Sequence, residues 1–242
     1  MKKFSSVLAL LMIVSMLAGC AVVERIYGIA DNMGANTRPA GVTEAVEETE
    51  PAQENKVSMG RLEGGVYSNS YTGYACDLNT NWEFYSAEEL QDMPQNVAEM
   101  MGDSELLDDE TVLKQFTDMM AENTEDLMTI NVLYQKLSLQ ERLGYAMMGE
   151  KEILESMLDM RDAMEATYAN AGILVDNMEV VTVDFLGKER VALHTEATLQ
   201  GVPYYVLQIF DFNRGAYGVT LTLASFVEDN TTSMTDLFYA VD

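Results

Sequence analysis

Histidine is almost missing from this chain: His194 is the one histidine in 242 residues. A zinc centre built on several histidines is thereby excluded, and no zinc-type Cys/His spacing exists. Cysteine is nearly as scarce, with Cys20 and Cys76 alone, too few for an extracytoplasmic disulfide framework. Basic residues number 14 against 40 acidic ones, a net charge of −26, which excludes nucleic acid as a partner. It also rules out a polybasic patch as the means of holding an anionic membrane. Long apolar runs are lacking too: the longest, from Phe4 to about Leu17, falls short of the roughly 20 residues that span a bilayer.

What stands at that N-terminus is a processing signal. Lys2 and Lys3 precede the apolar run, which ends in Leu17-Ala18-Gly19-Cys20. This is a lipobox and resembles that of bacterial lipoproteins. The resemblance implies a signal peptide at 1–20, cleavage before Cys20, and a Cys20 acylated on sulfur (diacyl, palmitate-type chains) as the anchor in the cell membrane, facing away from the cytoplasm. Two acyl chains make a stable anchor, at about 0.8 kcal/mol per buried CH₂, where one is marginal. Cleavage also removes two positive charges, taking the net charge from −26 to −28.

Residues 21–60 read as an acidic flexible tether, punctuated by Gly34, Pro39, Gly41 and Pro51 and carrying Glu44, Glu47, Glu48, Glu50 and Glu54. About 40 such residues span roughly 35 Å root-mean-square. Val22, Val23, Ile26 and Tyr27 would share a face in a short interfacial helix, but a plain linker is the expectation. A single domain is expected over 61–242.

Within it, Val66-Tyr67 and Tyr74 to Leu78 predict a hairpin, with Cys76 as a buried strand residue and Trp82 plugging a core edge. Ser86 with Glu89, and Ser138 with Glu141, have capping-box spacing and predict helix starts. Pro94 and Gly102 limit the first helix. Asp108-Asp109-Glu110 followed by Val112, Leu113, Phe116, Met119 and Met120 predicts a further helix. A strand is expected over 128–135, then a helix broken near Gly149 and ended at Gly172, its methionines filling core. Val180–Leu186, Arg190–Leu199, Tyr204–Phe212 and Tyr217–Phe226 predict four strands, whose short connections make them antiparallel neighbours. Thr231 or Thr232 would cap a closing helix bearing Met234, Leu237, Phe238 and Val241. The fold class expected is α+β: an antiparallel meander with helices packed on it.

Catalytic patterns are wanting. His194 follows Leu193 in a predicted strand and is expected to face solvent. A Cys76–His194 pair lacks the neighbouring positive charge that activates a thiolate. There is no EF-hand loop around Asp103 to Glu110 and no Gly-x-x-x-x-Gly-Lys phosphate loop. No catalytic, cofactor or metal-ligating residue is therefore assigned, and the acidic surface is expected to be dispersed.

Residues 65–242 resemble the PsbP-like group of domains. The likeness is carried by Val66-Tyr67-Ser68-Asn69, Tyr74 and the turn into Trp82, Leu186-Gly187-Lys188-Glu189, Gly201-Val202-Pro203-Tyr204-Tyr205, and Tyr217-Gly218-Val219-Thr220-Leu221-Thr222. Thr80-Asn81 stands where the group usually has proline before the tryptophan. The resemblance implies an α/β/α sandwich that works as a non-catalytic binding or assembly module for a protein, peptide or envelope component. The alternatives are a carboxylate-rich cation-binding domain and an enzyme with an unrecognised site.

Intact mass and detergent partitioning of membrane extracts are expected to show a diacylated Cys20, and Cys20→Ala to leave an uncleaved or unlipidated precursor. Unmodified wild-type protein in the soluble fraction contradicts the assignment.

Overall fold

The structure is a computed structural model that describes residues 60–78, 80–92, 115–159, 161–170, 172–212 and 215–241. The signal peptide, Cys20, nearly all of the tether, Pro94, Gly102 and the acidic helix start at 108–110 lie outside the described residues.

Besides helical residues 87–92, eleven strands and three α-helices are described: β1 (Gly60–Glu63), β2 (Val66–Asn69), β3 (Tyr74–Asp77), β4 (Glu83–Phe84), β5 (Gln115–Asn123), β6 (Met128–Lys136), α1 (Leu139–Met147), α2 (Glu150–Leu158), α3 (Arg161–Asn170), β7 (Ile173–Phe185), β8 (Lys188–Leu199), β9 (Val202–Asp211), β10 (Tyr217–Phe226) and β11 (Phe238–Ala240). They form two antiparallel sheets, β4-β5-β6-β10-β9-β8-β7 and β1-β2-β3-β11. The class is α+β, as expected.

Every residue of β10 after Tyr217 is buried, the mark of a strand covered on both faces. On one side of the large sheet, Tyr145, Ile153, Leu154, Met157, Met164 and Tyr168 of the helices pack on Leu133, Leu193, Tyr204 and Val206. On the other side, Tyr67, Tyr74, Cys76 and Phe238 of the small sheet, with Met234, pack on Ile130, Val132, Leu207 and Leu221. Trp82 belongs to this second core and is 8% exposed. Among the described residues the second covering layer is thus a sheet.

Both capping boxes are present. Ser86 and Glu89 bond reciprocally ahead of helical residues 87–92, and Ser138 and Glu141 do so at the start of α1. The break near Gly149 separates α1 from α2, and Gly149 is the residue ahead of α2.

Three expectations are corrected. Phe116, Met119 and Met120 lie in strand β5, not a helix. The pairing with β6 skips Asp118, so Phe116 opposes Tyr134 and Met119 opposes Val132. One bulged residue converts a period of two into i, i+3, which reads as helical. Strand β7 starts at Ile173, seven residues ahead of the expected Val180, and Asp176 is skipped in the same way. Finally, the closing helix is a 3-10 turn, Ser233–Leu237, followed by β11, because Phe238, Tyr239 and Ala240 pair with Cys76, Ala75 and Tyr74 of β3.

The bulged Asp118 has a structural use. Its carboxylate accepts from the Tyr67 hydroxyl at 2.7 Å, and the Asn69 amide donates to the Tyr67 and Tyr134 hydroxyls at 2.6 Å each. The Asn69 carbonyl oxygen accepts from the backbone of Tyr71 and Thr72. Tyr134 in turn stacks on Phe116 with centroids 5.0 Å apart. Burial, with Tyr74 and Asp118 nearby, raises the Tyr67 pKa far above the usual tyrosine value, so its hydroxyl stays a donor. This network joins the small sheet to the large one. Asn69→Leu removes the donor to the Tyr67 and Tyr134 hydroxyls and the acceptor of the Tyr71 and Thr72 backbone N–H groups, and is expected to cost about 3 kcal/mol in urea unfolding. A loss under about 1 kcal/mol would mean the network is incidental.

Candidate functional site

At the end of β10 the chain turns sharply, and the turn is held on all sides. Val227 donates its N–H to the Pro203 carbonyl at 2.9 Å, and Glu228 donates to the Phe226 carbonyl at 2.8 Å. Asn230 N–H donates to the Ser225 hydroxyl at 3.0 Å, while Asp229 Oδ1 accepts from the Thr231 backbone at 3.0 Å and hydroxyl at 2.7 Å. Beside it runs the β5–β6 turn, closed by the Asn123 side chain, which accepts from Glu125 and Asp126 backbone N–H and donates to the Asp126 carboxylate. The Phe226 N–H to the Leu127 carbonyl joins the two turns at 3.1 Å.

Each turn contains a non-glycine residue in the left-handed region, Leu127 at φ 55° and Val227 at φ 71°. For a β-branched residue that conformation costs on the order of 1–3 kcal/mol and persists only where the surroundings impose it. Val227 nevertheless keeps half of its side chain in solvent, 51% exposed. Between the turns lies an open groove of about 470 Å³ whose lining includes Asp126, Leu127, Val227, Glu228, Asn230 and Ser233. Its two carboxylates make it acidic, and its apolar floor comes from Met128 and Phe226.

The same turn carries chemistry on a second side. Asp229 Oδ2 lies 3.0 Å from His194 Nε2 on β8. Glu179 on β7 pairs directly with His194, and Glu196 follows two positions along β8 on the same face. One ligand atom from each of Glu179, His194 and Glu196 lies within 4.8 Å of the other two. Two expectations are corrected here. The His194 side chain is only 12% exposed, not turned to open solvent, with the Asp229 carboxylate set against its ring. The carboxylates around it also converge where a dispersed surface was expected. The available signal was His194-Thr195-Glu196, which places both side chains on one strand face; Glu179 depended on an unseen register.

Cys76 stands apart from this site, in β3 between Tyr67 and Phe238, fully buried and free. Burial, then the Asp77 charge, pushes its thiol up from 9.0 to about 12, the opposite of nucleophile activation. His194 keeps company with Glu179, Leu207 and Asp229 instead, so the structure does not bring the two residues together. Cys20 lies outside the described residues. Among the described residues no helix is long and apolar enough to cross a membrane.

The fold and the site define an antiparallel α+β module with a constrained acidic surface at one sheet end. No family model and no curated protein matches the chain. Among solved structures it is similar to the solution structure of cyanobacterial PsbP (CyanoP) from Synechocystis sp. PCC 6803, at 12% identity and a TM-score of 0.38, over 79% of this chain and 98% of that one. That likeness carries no information on ligand or activity.

Proposed function

We propose that the protein is a lipid-anchored extracytoplasmic module that acts by binding, not catalysis, and that its partner is a protein, peptide or envelope component presenting positive charge to the groove between the 126–128 and 226–233 turns. The observation that carries this reading is the open groove walled by two strained, hydrogen-bonded turns. A surface already held in its bound shape loses little conformational freedom on association. Asp126 and Glu228 give the groove the sign that attracts a basic segment, and the net charge of −26 steers such a partner from a distance. The lipobox at Cys20 supports the address, and the acidic tether allows the domain to stand clear of the head groups.

A photo-crosslinking residue at Val227 in the anchored protein is expected to capture a defined partner in intact cells. Charge reversal of Asp126→Lys with Glu228→Lys should lower that capture about tenfold or more. Equal capture by the reversed variant, or the same species captured from a probe at exposed Leu143 on α1, contradicts the assignment of the groove. A turnover abolished by His194→Ala in a protein that stays folded by circular dichroism contradicts the binding reading itself.

A further inference from the structure

Glu179, His194 and Glu196 are held by strands, not by loops. β8 is paired on both edges, with β7 and β9, and Glu179 faces His194 directly across the β7–β8 ladder. Strand-borne positions are the ones a binding site can rely on. The three ligand atoms lie within 4.8 Å of one another. Around a tetrahedral ion with bonds of about 2.1 Å such atoms sit roughly 3.4 Å apart, so closing the set needs a shift of about an ångström in side chains alone. His194 and Glu196 are half-buried and Glu179 is exposed, which leaves one side open for entry and for water ligands.

A fourth residue acts on the histidine. Asp229 Oδ2 stands 3.0 Å from His194 Nε2, while its Oδ1 is occupied by Thr231. A carboxylate fixed in this way takes the Nε2 proton of a neutral imidazole as a hydrogen bond, leaving the lone pair on Nδ1 for an ion. Three carboxylates around one imidazole also leave a negative excess that a divalent cation neutralises.

From these placements we propose that Glu179, His194 and Glu196 bind one divalent transition-metal ion, with Asp229 as the residue that positions the imidazole. One nitrogen and two carboxylate donors suit a borderline ion of the Zn²⁺ or Mn²⁺ type, whereas Ca²⁺ and Mg²⁺ favour oxygen donors throughout. The site is separate from the groove, on the other side of the 226–231 turn, and does not depend on what the groove binds.

His194 is the sole histidine, so its ring protons give one assignable pair of signals in the untagged chain. The full chain, purified in detergent and stripped with EDTA, is titrated with Zn²⁺ in the presence of excess Mg²⁺ to occupy unspecific carboxylates. The His194 signals are expected to shift and to saturate at one equivalent. In competition with a chromophoric chelator, Glu179→Gln with Glu196→Gln should weaken Zn²⁺ binding about tenfold or more, and Asp229→Asn about 10- to 100-fold. Glu152→Gln on α2 should leave it unchanged. His194 signals that do not move at one equivalent, or equal affinity in the double variant and Glu152→Gln, would overturn the site in favour of a histidine that merely pairs with its neighbouring carboxylates.

Discussion

The double pairing of β10 is the constraint on which the rest of the molecule depends. This strand holds β9 on one edge and β6 on the other, and so joins the β5–β6 hairpin to the β7–β8–β9 meander in a common sheet. Because both of its faces are buried, the register of β10 fixes which side chains enter the helix-covered core and which enter the core beneath the small sheet. A slip of one residue would exchange Leu221 and Leu223 with Thr220 and Thr222 and empty both cores of their matched partners. The small sheet is then tied down by Asn69, whose amide reaches Tyr67 on its own strand and Tyr134 on β6.

The end of β10 inherits this rigidity. Its turn has no freedom to relax Val227 out of the left-handed region, since Pro203, Ser225 and Phe226 all accept hydrogen bonds from it. Strain of that kind is retained by the surrounding structure, and the turn presents a half-exposed Val227 and Glu228 to the groove and the Asp229 carboxylate to His194. One short segment therefore presents two surfaces of different character. The groove offers open, acidic space for a docking segment, and the strand-held carboxylates with one imidazole offer a compact set of donors.

Much of the fold was legible in the sequence because it rests on local chemistry. The capping boxes at Ser86 and Ser138, the break at Gly149, and the strand Tyr217–Phe226 depend on neighbours in the chain, and the structure has each where the sequence places it. Single residues that break periodicity hide the rest. Asp118 and Asp176 are bulged, and each shifts the alternation so that apolar residues fall at i and i+3. The closing strand was hidden for a different reason: Phe238 and its neighbours take their conformation from β3, more than 150 positions away in the chain. For His194, alternation marks a change of face but does not show that the turn after β10 sets Asp229 against that face. Its partners Glu179 and Asp229 come from other elements, and only register and tertiary packing bring them to it.

That the site is held in shape by the turn after β10 is tested most directly by amide hydrogen exchange under native conditions. The amides of Val227, Asn230 and Thr231, bonded to Pro203, Ser225 and Asp229, should exchange orders of magnitude more slowly than an open loop and approach the protection of β10. Exchange of these three amides at the rate of unstructured chain, with β10 itself protected, would contradict it.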